Sequence, residues 1–400
     1  MKTNSKVASP FQITLTSVSK NLRLESAEVV GGKITPKCPG WSVRKLTLHG
    51  GKQEGVDVIV VDNGKLIFTV IPTRGMSVLD AKCGDLRLGW NSPVKEVVHP
   101  NHVNIQNRGG LGWLEGFNEW LVRCGLENIG GPVTDKFRTE SGGETSLDLT
   151  LHGKIANIPA SEVEVLVDRV PPYRITIRGR VDERAMFGPQ LELWTEISTV
   201  PGSSELQITD TITNRGGAEQ EFQLLYHANF GSPLLEAGAV FLAPVANVTP
   251  HTQHAAKSVR DFANYAGPTK GFAEEVFCLH PLADDQGRTV IALVNANRNR
   301  AVSMSYAVAE LPCLTLWKNT ASEGEGYVTG LEPGTSFPNN RSVERKLGRV
   351  PKLAPGESWS ATIDYAVHFG TTAVKSVAKR IELIQGKRKP VLRKQPEKKS

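Results

Sequence analysis

Short segments of alternating apolar and polar residues recur along most of this chain, and turn signals separate them. The segments lie at residues 58–61, 66–71, 76–81, 86–90, 146–151, 162–167, 173–180, 191–200, 205–213, 222–226, 289–294, 302–307, 314–317, 327–331 and 359–368. Asn63-Gly64, a strong hairpin signal, joins the first two, and 38 glycines and 24 prolines punctuate the rest. Many short strands with regular turns and few helical periods predict an all-β protein, built as a large antiparallel β-sandwich.

The pattern divides the chain into four parts. Residues 1–20 are polar without a clear period and are predicted to form a loose N-terminal arm. Residues 21–370 are predicted to form a single sandwich domain. Residues 371–385 place apolar side chains at three-to-four spacing, which predicts one C-terminal amphipathic helix with a threonine of its first two positions as N-cap. Residues 386–400 are predicted to be a basic, disordered tail.

The basic charge of the chain is concentrated in that tail. The formal net charge is +6, and residues 386–400 hold seven basic residues and one acidic residue, so the rest of the chain is formally neutral. A neutral body is not expected to bind nucleic acid. The tail could contact RNA, a membrane or an acidic partner, but its composition favours a solvated segment.

Neither a membrane span nor a metal site is indicated. No apolar run is long enough to cross a bilayer, and the first residues lack the apolar core of a signal peptide, so a cytoplasmic location is expected. The five cysteines are scattered and never spaced as CxxC, which argues against disulfides and structural zinc. His251 and His254 form an HTQH motif, but no third ligand lies at a persuasive spacing, so no metal is predicted.

Four polar residues share one position in the pattern: each comes at or directly after the end of a predicted strand, near Gly or Pro. They are Arg74, His152, His227 and Glu332. A side chain at a strand end can face a cleft, although a structural role is equally compatible with a histidine or glutamate there. Residues 109–131, rich in Gly and Trp, are predicted to be a long loop over one face and a place for binding.

Four motifs in this order resemble those of the aldose 1-epimerases (galactose mutarotases). They are LIFTVIPTRGMSVLDAKCGDLRLGW, LTLHGKIANIPA, ITDTITNRGGAEQEFQLLYHANFGSP and YVTGLEPGTSFPNN. The resemblance covers about residues 41–368 and implies the β-supersandwich of that family. Two departures are evident: the segment GLGWLEGFNEW precedes His152 instead of following it, and the family's substrate-binding aspartate has no assignable counterpart.

The resemblance implies an isomerase that interconverts the α and β anomers of a sugar. The reaction needs one proton on the ring oxygen and removal of the proton from the C1 hydroxyl, so an acid and a base suffice and no cofactor is required. By resemblance, Glu332 is the base for the C1 hydroxyl. His227 is the acid for the ring oxygen, and its unperturbed pKa lies near neutral pH.

The resemblance also implies five substrate-binding residues. Arg74 and His152 would orient sugar hydroxyls by charge-assisted hydrogen bonds. Asn229 follows His227 in the same motif. Trp317 would offer a flat face to the C–H side of a pyranose, although a core indole is an equal alternative, and Lys318 would donate to a hydroxyl.

Two other functions remain open at this point. A sugar-binding or sensor protein could use the same scaffold without turnover, and a polysaccharide lyase or hydrolase is a further alternative. A hydrolase of the usual kind needs two carboxylates across the bond, and one carboxylate paired with a histidine fits that poorly. The expected partner is a small carbohydrate, whose identity the residues do not specify, and they predict no oligomeric state.

Overall fold

The computed structural model describes residues 9–138 and 143–397. Strands are the main regular secondary structure of these residues. In chain order the strands are β1 (Phe11–Ser17), β2 (Leu22–Arg23), β3 (Ala27–Val30), β4 (Ser42–Thr47), β5 (Asp57–Asp62), β6 (Leu66–Ile71), β7 (Ser77–Cys83), β8 (Leu86–Leu88), β9 (Leu121–Leu126), β10 (Val133–Arg138), β11 (Glu144–Leu149), β12 (Glu162–Val167), β13 (Ile175–Arg184), β14 (Gln190–Thr199), β15 (Glu205–Asn214), β16 (Gln220–Glu221), β17 (Gln223–Phe230), β18 (Val240–Leu242), β19 (Val245–Pro250), β20 (Glu275–Pro281), β21 (Arg288–Val294), β22 (Arg300–Ala307), β23 (Cys313–Asn319), β24 (Val328–Gly334), β25 (Lys352–Leu353), β26 (Ser358–Phe369) and β27 (Val391–Leu392).

Two large sheets contain almost all of these strands. Sheet A has ten strands in the order β18-β21-β22-β26-β15-β14-β13-β12-β1-β2. Sheet B has thirteen, in the order β27-β19-β20-β23-β24-β17-β9-β7-β6-β5-β4-β3, with β8 paired to β7. The pairs β10–β11 and β16–β25 stand apart. The predicted fold class, a large antiparallel sandwich, is confirmed.

The core lies between the two sheets, because the strands alternate apolar and polar positions. Along β13 the residues are buried and half-buried in strict alternation, so one face turns inward. From sheet A the core receives Leu193 and Ile208, and from sheet B it receives Leu224 and Leu316. In contrast, all eight residues of β17 are buried, so its outer face, which points away from sheet A, is also covered. That covered outer face holds the candidate site.

Four short helices complete the described chain. They are α1 (Gly31–Ile34), α2 (Asn107–Gly110), α3 (Arg341–Lys346) and α4 (Thr371–Gln385). The predicted C-terminal helix is α4, with the predicted bounds. Its buried residues Val374, Val377 and Ile381 pack on the outer face of sheet A. The N-cap is Gly370, with no side-chain hydrogen bond, so the prediction of a threonine cap is wrong.

The predicted loose arm is wrong for part of its length. Phe11–Ser17 form β1 and pair with β12 in sheet A, and Leu15 is buried in the core. The segment FQITLTS does alternate apolar and polar residues as far as Leu15, but it is short and lies in a largely polar N-terminal region, so the period is hard to detect. Residues 1–8 lie outside the described part of the chain.

The tail is also more ordered than predicted. Val391–Leu392 form β27, which pairs in parallel with β19, and Glu397 forms an ion pair of 2.9 Å with Arg349. A two-residue strand beside many lysines leaves almost no apolar signal in the sequence. The composition therefore gives no indication of β27. Residues 398–400 lie outside the described chain.

Among the described helices, none is long and apolar enough to span a membrane.

Candidate active site

Two adjacent strands bring His227 and Glu332 together. β17 and β24 pair antiparallel with Ala228 opposite Leu331, and this register places His227 opposite Glu332. The two side chains share the outer face of sheet B, where His227 Nε2 lies 3.2 Å from Glu332 Oε1. The residues are 4% and 3% exposed. The sequence placed them 105 positions apart, and strand pairing makes them neighbours.

Aromatic rings surround this pair. The ring centroid of His227 lies 5.1 Å from that of Phe117, 5.3 Å from Trp317, 5.6 Å from His152 and 6.2 Å from Trp113. Trp317 and His152 are half-buried, so they form the accessible edge of the site. Aromatic faces are the surfaces on which the C–H side of a pyranose can pack.

The roof of the site comes from the Gly- and Trp-rich segment. Its first half is a 3₁₀ turn at Gly112–Gly116, followed by Phe117, and its second half is β9 within sheet B. Trp113 and Phe117 stack at 4.7 Å between centroids. The predicted loop over one face is therefore present, although it ends where β9 begins.

Gly330 lies beside the His227–Glu332 pair, and both groups pack over its backbone. A Cβ atom at Gly330 would lie 2.3 Å from Glu332 Oε1 and 3.2 Å from His227 Cε1, so any other residue here would displace the carboxyl group. Gly330 pairs with Trp317 on β23, which places the indole next to the same glycine. The absence of a side chain at this position therefore allows the carboxyl group and the imidazole to lie side by side.

Burial shifts the pKa values of both central groups in the directions that favour their neutral forms. Desolvation raises the pKa of Glu332 well above its usual range, and the nearby Glu274 carboxylate adds to this. Desolvation and then the charge of His152 lower the pKa of His227 far below its usual value. Glu332 Oε1 and His227 Nδ1 also lack a well-aligned hydrogen-bond partner among the described residues. Each group thus has a hydrogen-bonding atom that no described residue satisfies.

His152 is oriented by the backbone. Its Nδ1 lies 2.8 Å from the carbonyl oxygen of Ile129, which can only accept, so Nδ1 carries the proton and Nε2 is free to accept. Burial lowers the pKa of His152 to about 4, so the ring is neutral near pH 7. Its φ of 59° is unusual for a residue other than glycine and sets the ring against Trp113.

Arg74 and Asn229 lie behind the site. Arg74 is fully buried; its Nε donates to Glu119 at 2.7 Å, and its Nη1 donates to Asn157 at 2.8 Å. Asn229 donates to the carbonyl of Glu119 at 3.0 Å and to that of His227 at 3.2 Å. Both side chains therefore hold the segment that carries Phe117, and the structure shows no contact between Arg74 and the His227–Glu332 pair.

Lys318 does not join the site, so its predicted role as a substrate ligand is wrong. It follows Trp317 in β23, and neighbouring residues of a strand point to opposite faces. Its ammonium group donates to the carbonyl of Asn264 at 2.8 Å and lies 5.1 Å from the ring of Tyr265, in the interior.

Sequence reasoning missed Trp113, Phe117, Gly330 and Glu274. The Gly- and Trp-rich composition pointed to the first two as a group. Gly330 had no signal beyond being a glycine inside a strand, which does mark a close approach of a ligand or a backbone. Glu274 lies near the site because it accepts a hydrogen bond of 2.8 Å from Trp317 Nε1.

Within residues 9–138 and 143–397, no group of three His, Cys, Asp or Glu side chains is arranged to hold a metal ion.

Comparison with known proteins assigns the family. A family model described as a domain of unknown function, DUF4432, matches residues 53–367. The chain belongs to the DUF4432 family. A comparison with curated proteins gives no match.

Solved structures connect this DUF4432 chain with the mutarotase fold. A crystal structure from Klebsiella pneumoniae subsp. pneumoniae MGH 78578, named a "putative aldose 1-epimerase", is 39% identical, with a TM-score of 0.91 over 97% of this chain and 99% of that one. A galactose mutarotase-like protein from Clostridium acetobutylicum is 16% identical, with a TM-score of 0.57 over 82% and 98%. The galactose 1-epimerase of Lactobacillus acidophilus NCFM is 10% identical, with a TM-score of 0.52 over 82% and 99%. The resemblance to this family is confirmed.

A buried carboxyl group on sheet A holds the loop that orients His152. Glu183, 4% exposed, accepts hydrogen bonds from the backbone N–H groups of Leu126 at 2.9 Å and Glu127 at 3.2 Å. Two residues further along this loop lies the Ile129 carbonyl that contacts His152. Burial raises the pKa of Glu183 to about 7.

We expect Glu183 to make stability depend on pH. Between about pH 4.5 and pH 7 the folded chain keeps a proton on Glu183 that the unfolded chain has lost, so the free energy of unfolding should fall as the pH rises. The loss should reach roughly 3 kcal/mol. The buried groups Glu332, His152 and His227 also have shifted pKa values, so the contribution of Glu183 is measured as a difference. Urea unfolding at several pH values should show that, from pH 4.5 to pH 7, the free energy of unfolding of the wild type falls relative to that of Glu183→Gln, which resembles the protonated form. Glu219→Gln, a change at an exposed carboxylate, should retain the pH dependence of the wild type; an unchanged profile in Glu183→Gln would contradict the assignment.

Proposed function

We propose that this DUF4432 chain is an aldose 1-epimerase that interconverts the α and β anomers of a sugar at the His227–Glu332 pair. The observation that carries the proposal is the buried contact of 3.2 Å between these two groups beside the indole of Trp317. An acid and a base that reach one small substrate are what ring opening and closure require.

The reaction would proceed by exchange of two protons. One group takes the proton of the C1 hydroxyl while the other protonates the ring oxygen, so the C1–O5 bond breaks and an open-chain aldehyde forms. Rotation about C1–C2 and the reverse transfers close the ring with the other configuration at C1. The chain supplies both protonation sites, and the sugar leaves them with their original number of protons.

The burial of the pair bears on which group acts as the acid. The resemblance assigns the base to Glu332 and the acid to His227, which corresponds to a carboxylate beside an imidazolium. Burial favours the neutral pair, in which Glu332 holds the proton and His227 accepts one. Both forms carry the same single proton. We therefore assign acid–base function to the pair as a unit with one shared proton.

The neighbouring groups suit a sugar. Trp317 would pack against the C–H face of a pyranose, with its Nε1 held by Glu274. His152 Nε2 would accept a hydrogen bond from a hydroxyl group. Trp113 Nε1 is buried without a partner in the described chain and would donate one. The neutral aromatic surface with few polar groups is typical of sites that orient small ligands.

The same surface would also serve a sugar-binding protein without turnover, so the test must separate binding from catalysis. Saturation-transfer NMR on a panel of aldoses and 6-deoxy sugars reports binding, and exchange spectroscopy between their anomeric protons reports interconversion. We expect at least one sugar to bind and to exchange anomers faster than in buffer alone. Binding of sugars without any acceleration would contradict the epimerase function and favour the sensor.

A further inference from the structure

A large groove lies on the opposite side of the sandwich from the His227–Glu332 pair. It has a volume of about 590 Å³ and is formed between the outer face of sheet A and helix α4. That size suits a monosaccharide or a small derivative of one. The groove therefore belongs to a different surface from the proposed epimerase site, and nothing argued below depends on that function.

Short residues on the outer face of sheet A form part of the floor of the groove. Strand pairing places Ala366 of β26 between Ser303 of β22 and Glu205 of β15. The neighbouring row reads Ser305, Asp364, Gln207 and Ser198 across four strands. Helix α4 contributes Ala373, Ser376, Val377 and Arg380 as one wall. The floor is thus a short-residue sheet surface below a helical wall.

Three guanidinium groups line the groove. Arg288 donates to Asp364 at 2.6 Å, and Arg174 donates to Ser198 at 2.9 Å, so both are held in fixed positions. Arg380 is exposed and forms no hydrogen bond or ion pair within the described residues. With Asp364 and Glu205 as the carboxylates of the lining, the charged groups leave one positive charge in excess.

Several polar side chains that line the groove can form hydrogen bonds with the hydroxyl groups of a sugar. Serine hydroxyls and the Gln207 amide can donate and accept, and a carboxylate such as Glu205 accepts from a hydroxyl. Glu205 and Asp364 would repel a bare anion. A ligand with hydroxyl groups over these acceptors and one anionic group near the arginines satisfies both sets of groups.

We propose that this groove binds a small, hydroxyl-rich phosphate monoester, of the sugar phosphate class. Its phosphate would lie at Arg380, because this guanidinium group has no partner within the described residues and guanidinium groups bind phosphate with two parallel hydrogen bonds. Its hydroxyl groups would lie over Ser303, Gln207 and Glu205.

Isothermal titration calorimetry of the full chain tests this with three probes: glucose 6-phosphate, glucose and inorganic phosphate. We expect glucose 6-phosphate to bind at the groove more tightly than either part, with an affinity that falls as the salt concentration rises. Equal affinity for inorganic phosphate would overturn the hydroxyl contacts, and equal affinity for glucose would overturn the role of the arginines.

A matched pair of variants on α4 locates the site. Arg380→Gln should weaken binding of glucose 6-phosphate about fivefold, whereas Lys379→Gln removes the same charge from the neighbouring exposed position outside the groove and should change it less than twofold. Ser376→Trp should block the groove and abolish binding, with α4 still folded because Ser376 is exposed. Unchanged binding in Ser376→Trp, or equal losses in Arg380→Gln and Lys379→Gln, would overturn the proposal.

Discussion

Glu332→Gln should slow anomer exchange by roughly 10² to 10⁴, the usual contribution of a positioned acid or base. The amide keeps the shape of the carboxyl group but cannot take part in proton transfer. Because the neutral Glu332 favoured by burial resembles an amide, the variant should fold normally and bind the sugar with little change. Exchange spectroscopy between anomeric protons at saturating sugar measures the effect.

His227→Asn should give a loss of similar size, and the double variant should lose less than the product of the two. Acid and base that share one proton act as a unit, so removal of either disables both. Glu219→Gln, a change at an exposed carboxylate just before β16, serves as the control and should leave the rate unchanged. If anomer exchange is as fast in Glu332→Gln as in the wild type, the protein is still an epimerase, but Glu332 does not take part in the reaction.

The sequence predicted the architecture because strand alternation and turn residues are local signals. The recurring pattern was enough for a β-sandwich, and the three-to-four spacing after residue 370 was enough for α4. Strand register is not local: nothing near His227 indicates that Glu332 will be its neighbour on the next strand. That pairing was inferred only through the resemblance to known motifs.

Lys318 and Arg74 show what proximity along the chain does not reveal about a site. Lys318 lies beside Trp317 in the sequence, and proximity along the chain suggested a shared site, whereas the pleat of the strand sends the two side chains to opposite faces. Arg74 lies at the predicted place after β6, but its buried partner Glu119 belongs to a segment 45 residues away. Which face and which partner a polar residue has are decided by tertiary packing.

The largest expected effect on stability concerns a buried ion pair that connects the two sheets. Arg123 of β9 and Asp210 of β15 are fully buried, with Arg123 Nη2 3.0 Å from Asp210 Oδ1. Asp210 also accepts from Thr195 at 2.7 Å, and Arg123 donates to the carbonyl of Met76 at 3.0 Å. Asp210→Asn should lower the free energy of unfolding by about 3–5 kcal/mol, because it leaves the guanidinium charge buried without its counter-charge.

Urea unfolding of three variants separates this effect from the loss of an ordinary ion pair. Asp364→Asn breaks a pair with Arg288 in which both side chains are partly exposed, and it should cost no more than about 1 kcal/mol. Replacing both partners, with Arg123→Met and Asp210→Leu, should recover much of the stability lost in Asp210→Asn, because no unpaired charge remains in the core. If Asp210→Asn instead costs as little as Asp364→Asn, then the Met76 carbonyl and internal water satisfy Arg123, and the ion pair does not hold the sheets together.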